Sequence, residues 1–342
     1  MRKPWLAVTM GDAAGVGPEV IVGAWGHAAV HEWCRPFVLG SPHVMRRAAR
    51  LVGNGVDVRQ IESPQEAVPS PALLPCLQAC DEAVQHVAPG GIDARAGQAA
   101  YECLLAAAAL ALGGQVDGIT TAPLQKAALW QAGHPYPGHT ELLAELCGVD
   151  DFAMMLYLAP GEHVRGPAGL GVVHVTLHMA LRDVFASLST QAVFNKIRLA
   201  DGALRPLAPA APRIGVCALN PHAGESGLFG REEQEVIAPA VRRAEAEGFD
   251  VEGPLPADTL MVRAAAGEFD AVVAMYHDQG HIALKLLGMQ RAVNVTLGLP
   301  IIRTSVAHGT AFDLAWQGRA DCTSMIEALR IAAQLAAHCL RS

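Results

Sequence analysis

Short apolar runs alternate with longer helix-patterned stretches along nearly the whole chain, and this alternation constrains the fold more than any other feature. It is the pattern of βαβ units, whose strands pair in parallel and whose crossover helices cover the sheet faces. Strands are expected at Leu6–Met10, Phe37–Gly40 and Gly118–Thr121, then near 152–158, 171–177, 213–219, 271–276, 292–297 and 300–305, with helices between them. At 342 residues the chain exceeds what one core usually supports, so two lobes are expected. We place one at 1–130 plus 300–342, discontinuous and on the cofactor side, and the other at 131–299, for metal, substrate and dimerisation.

Three apolar runs lead into a histidine: Gly171 to His178, Ile214 to His222 and Ala271 to His277. Ligands gather beyond the carboxyl ends of strands in open α/β sheets, so three imidazoles at that edge suit a divalent metal assembled in space rather than in sequence. Each histidine alone also reads as an ordinary hydrogen-bonded residue at a strand end. His281, one helical turn beyond His277, is expected to be a neighbour and not a ligand. Lys285, Asn294 and Arg303 follow in or beside the next strands, and a point charge, an amide and a forked guanidinium suit a phosphate or carboxylate. Arg303 stands in an otherwise apolar run and requires an anionic partner if buried.

The formal charge of -8 argues against nucleic acid and against an anionic membrane surface. The longest lipid-like run, Cys103 to Leu112, is half of what a membrane span needs, roughly 20 residues. Eight cysteines lack paired spacings, with Cys76 and Cys80 expected on a helix, which suits the reducing cytosol. A cytoplasmic protein is expected, without a signal peptide. The turn Gly11 to Glu19 lacks the order of a Rossmann or P-loop signature and reads as a tight strand-to-helix turn. Residues 62–75, with four prolines, are expected to be loop, and Thr140 is a candidate cap for the helix that follows His139.

Several motifs together resemble the 4-hydroxythreonine-4-phosphate dehydrogenase family: Tyr136 to Glu141, Thr176 to Arg182, Leu219 to Glu225, Gly253 to Thr259, Ala274 to Gly280 and Asn294 to Ser305. The resemblance runs from the amino-terminal glycine turn to Asp321. It implies a two-lobed α/β/α fold like that of isocitrate and isopropylmalate dehydrogenases, not a Rossmann fold. It also implies a homodimer with a shared active site. There one divalent ion (Zn, Co, Mg, Mn or Ni class) is held by His178, His222 and His277, drawn from both subunits. His139, Thr140, Lys285, Asn294 and Arg303 contact the phosphorylated substrate, and Lys285 either grips phosphate or moves a proton. His308, Gly309, Thr310 and Asp313 match the NAD- or NADP-contacting loop. The implied reaction is oxidation of a C3 hydroxyl followed by decarboxylation, with His178, His222, His277 and Lys285 as the catalytic set.

The chain departs from that pattern at Ala13, Ala180 and Ala283, where the family carries proline, at Ala307 in place of an acid, and at Trp316 in place of a glycine. Gly227 to Gly230 and Asp278 to Ile282 are closer to the branch acting on 4-phosphorylated threonate or erythronate. A relative acting on a carboxylated aromatic cis-dihydrodiol lacks the asparagine and arginine that match Asn294 and Arg303. A non-catalytic metabolite-binding relative is the further alternative.

Overall fold

A computed structural model describes residues 2–341. Among them twelve strands occur in chain order: β1 (Trp5–Thr9), β2 (Arg35–Gly40), β3 (Asp57–Ile61), β4 (Leu73–Gln78), β5 (Gly118–Thr121), β6 (Ala153–Leu158), β7 (Leu170–His174), β8 (Ile214–Cys217), β9 (Val251–Leu255), β10 (Ala271–Ala274), β11 (Val293–Leu297) and β12 (Arg303–Val306). The chain divides into two compact units, 1–150 with 299–342, and 151–298.

In the first unit the strands run in the order β3-β4-β2-β1-β5-β12, all parallel. Side chains of β1 alternate faces as a strand must. Leu6 and Val8 enter a core with helices Gly17–Trp25 and Thr323–Cys339, whereas Ala7 joins Phe37, Leu39 and Leu104 on the other face. Leu142 and Leu143 pack in that second core, so residues 131–150 belong with this unit and not with the lobe to which the sequence assigned them. Both faces being covered explains why β1 and β2 are mostly apolar on both sides.

In the second unit the order is β11-β6-β7-β10-β8-β9. Strands β7, β10, β8 and β9 are parallel, but β6 runs antiparallel to both β11 and β7. This departs from the expected uniform βαβ pattern, and the cause is local. Residues 159–169 contain no helix, so β6 and β7 are joined by a loop that reverses direction, where a parallel pair would need a crossover. Residues 62–75 differ as well. Prolines do not prevent β4 from forming, because Pro75 lies within it, and Cys76 is therefore on a strand, with Cys80 beyond its end.

The turn after β1 is as tight as its glycines suggest. A Cβ on Gly11 (φ 72°) would lie 2.5 Å from the Pro123 carbonyl oxygen, and one on Gly17 would lie 2.6 Å from that of Met10. Asp12, wholly buried here, accepts the Ala14 amide at 2.8 Å. Among the described residues no helix is long and apolar enough to cross a membrane.

Candidate functional site

Arg303 opens β12 in the first unit and is buried, with its Nη2 donating to Thr121 Oγ1 of β5 at 2.8 Å. Register explains the contact. Arg303 pairs with Ile119, so its side chain reaches along β5 toward the strand's carboxyl end. Desolvation pulls the guanidinium down to about 9, opposed by the carboxylate of Glu141. Glu141, at the start of helix His139–Cys147, is the acid near enough to favour the charged guanidinium, but it only partly offsets the desolvation. Burial, reinforced by the Arg303 charge, holds the His139 imidazole well below the ordinary histidine range, so it is neutral at pH 7. Thr140 does not cap this helix. The N-cap is Gly138, and Thr140 already lies within the first turn.

The loop carrying His308, Gly309, Thr310 and Asp313 belongs to the same unit. The Thr310 carbonyl accepts the Val16 amide at 3.0 Å, and a Cβ on Gly15 would lie 2.9 Å from Thr310, so the loop rests on the glycine turn. His308 Nδ1 pairs with the Gly309 carbonyl at 2.9 Å, and its Nε2 is buried with no hydrogen-bond partner among the described residues. Asp313 is exposed. Trp316 takes φ 59°, a left-handed conformation that glycine adopts without cost, which accounts for glycine there in the related pattern. Here the indole is held instead by Nε1 donating to the Ala13 carbonyl at 2.9 Å and by Arg47, whose guanidinium lies 4.0 Å from the ring centroid. Buried Glu19 receives the backbone N–H groups of Trp316 and Gly318.

The second unit gathers histidines, though not in the expected trio. His178 lies four residues beyond β7, and the histidine that ends this strand is His174. His277 begins helix His277–Gly288. The rings of His178 and His277 have centroids 5.9 Å apart, and both line a cleft of ≈ 610 Å³ with Asp278 and Tyr276. His277 Nδ1 is held by Asp278 Oδ1 at 2.6 Å, which leaves Nε2 as its donor atom for a ligand, the arrangement that metal-bound imidazoles use. His222 is not joined to this pair. It begins a run, His222 to Ser226, in which five consecutive residues have positive φ. Such a run is strained, and Glu233 secures its entry by accepting the backbone amides of Leu219 and Asn220 at 2.9 and 2.7 Å. Among the described residues no group of three His, Cys, Asp or Glu is placed to hold a metal ion. The donor chemistry at His277 fits a divalent ion.

Lys285 lies in the last turn of the helix that His277 begins, close enough to His281 for its charge to lower that imidazole's pKa. Asn294 is in β11, with Oδ1 buried and accepting no hydrogen bond among the described residues, as a ligand contact would leave it. The sequence reading gave Thr121, Glu141, Asp278 and His174 no role. Asp278 carried a signal in its adjacency to His277, whereas Thr121 and His174 are identified only by strand register.

The geometry defines an α/β protein with two chemically distinct centres, a buried guanidinium in one unit and an imidazole cluster in the other. The model of the family described as pyridoxal phosphate biosynthetic protein PdxA matches residues 32–332, and the chain belongs to that family. A D-threonate 4-phosphate dehydrogenase of Cupriavidus necator is 48% identical over 334 residues, 97% of each chain. A 4-hydroxythreonine-4-phosphate dehydrogenase of Trichlorobacter lovleyi is 47% identical over 339 residues, 98% of each. A crystal structure of the latter type of enzyme from Klebsiella pneumoniae matches with a TM-score of 0.86 at 44% identity, over 98% of this chain and all of that one.

Proposed function

We propose that this protein, an oxidoreductase by family, oxidises the C3 hydroxyl of a 4-phosphorylated 3-hydroxy acid with NAD or NADP and releases the carboxylate as carbon dioxide. The substrate class is 4-phosphohydroxythreonine or 4-phosphothreonate and 4-phosphoerythronate. The supporting observation is Arg303: a guanidinium buried at a strand end costs several kcal/mol in desolvation, a cost that recognition of an anionic substrate would justify. The same residue, with Asn294, disfavours the dihydrodiol reading, whose relative lacks both.

On this reading Arg303, His139 and Thr140 bind the phosphorylated substrate, with Lys285 and Asn294 as further contacts. Holding the substrate fixes the C3 hydrogen for transfer, an orientation effect. His139, neutral, offers a hydrogen bond without adding charge. Lys285 either grips the phosphate or supplies a proton to the carbon left by decarboxylation. His308, Gly309, Thr310 and Asp313 border the dinucleotide. A divalent ion on His178, His222 and His277, contributed by two copies of the chain, would supply Lewis acidity at the C3 oxygen, and the nicotinamide would accept the hydride. A homodimer is part of the proposal.

The test is a panel assay of the three phosphorylated acids and their dephosphorylated analogues, following reduced nicotinamide before and after chelation. Turnover confined to phosphorylated acids, lost on chelation and restored by a divalent ion, is expected. Equal turnover of the dephosphorylated compounds would refute the phosphate role, and full activity after chelation would refute the metal.

A further inference from the structure

Two histidines outside the proposed ligand set lie directly behind His277. His281 is one helical turn on, and its ring stacks on that of His277 with centroids 3.7 Å apart and planes inclined by 13°. His281 Nδ1 is hydrogen-bonded to His174 Nε2 at 3.0 Å, and both residues are buried. Helix His277–Gly288 approaches β7 closely enough for this contact because residue 280 is glycine. A Cβ there would lie 2.6 Å from His174 Nε2 and 2.5 Å from Val172 Cγ1. Two polar rings in such an interior are an expensive filling that a pair of leucines would replace at lower desolvation cost. Their geometry explains the expense. Asp278 fixes one edge of His277 through Nδ1, and the His281 face restricts rotation of the ring.

We infer that His281, anchored by His174, is a positioning residue that holds the His277 imidazole with Nε2 directed at its ligand. The inference rests on the reading of His277 as a metal ligand, and the experiment separates the two. Metal-stripped full-length protein is titrated with cobalt(II), reading the d–d absorption band. Nitrogen-15 NMR of the metal-free protein reports which ring nitrogen of His277 carries the proton. The unmodified protein is expected to show the Nδ1–H form alone. His281→Leu is expected to weaken cobalt binding about tenfold, to alter the band and to mix the two tautomers. His281→Phe, which keeps a flat ring against His277, is expected to restore affinity to within about threefold. His174→Leu removes the anchor while leaving the stacked ring, and its expected intermediate loss carries the test if His281→Leu does not fold. A His281→Leu protein with unchanged cobalt affinity, band and tautomer overturns the inference. Failure of the unmodified protein to take up cobalt overturns the ligand reading instead, and the tautomer measurement still decides whether His281 positions the ring.

Discussion

Replacing Asp12 with asparagine should stabilise the protein, by an amount that depends on pH in a defined direction. Asp12 is wholly buried in the turn after β1, and its carboxyl is raised from 3.8 to about 6. Desolvation is the main cause, opposed by the Ala14 amide and more weakly by those of Gln125 and Gly15, and reinforced by the nearby Asp93. In the unfolded chain the group ionises near 3.8, so ionisation costs the native state nothing below that value. The penalty grows as pH rises from 3.8 to about 6 and is constant above. The shift corresponds to roughly 3 kcal/mol at pH 8 and about half of that at pH 5. Asparagine keeps an oxygen for the Ala14 amide and carries no charge. Asp12→Asn should therefore exceed the unmodified protein in unfolding free energy by about 2–3 kcal/mol at pH 8, and by roughly 1.5 kcal/mol less at pH 5. Urea titrations of both proteins at the two pH values measure the difference, in which titrations common to both cancel. A difference that is independent of pH, or that widens on acidification, would refute the assignment of a desolvated, ionised carboxylate.

Three further outcomes are expected. Arg303→Ala should raise KM for phosphorylated substrates by the equivalent of about 2–3 kcal/mol, and initial-rate measurements that find KM unchanged would remove Arg303 from the substrate site. His222→Ala should abolish turnover and lower metal content while leaving NAD binding nearly intact; elemental analysis with unchanged metal occupancy would end its role as a ligand. Gly280→Ala should cost about 1–3 kcal/mol in unfolding free energy by overpacking against His174 and Val172, and an unchanged urea midpoint would show that the helix can retreat from β7 freely.

Much of the fold was legible because its strands are short apolar runs separated by helices of ordinary period. What the alternation missed has local causes. Strand β3 is Asp-Val-Arg-Gln-Ile, half polar because it lies at the sheet edge, and β4 contains a proline. The reversal at β6 was hidden because an apolar run does not state its direction; only the missing helix after Leu158 does. Arg303 was legible as a charge in an apolar strand, and Glu141 was not, since an acid in the first turn of a helix is commonplace. His281 was legible as a neighbour of His277 from its spacing alone. Its partner His174 was not, because β7 ends four residues earlier than His178 and the bond crosses 107 residues of chain.

The division at 150 and 299 also governs how the molecule can be made. During synthesis the unit 151–298 emerges as one uninterrupted piece of chain. The first 150 residues must meanwhile wait on the ribosome's timetable, with β5 lacking its neighbour β12 and one core lacking helix Thr323–Cys339. A nascent chain arrested before Arg303 would therefore leave β5 with an open edge, and such an unpaired edge is where a chaperone would find its substrate.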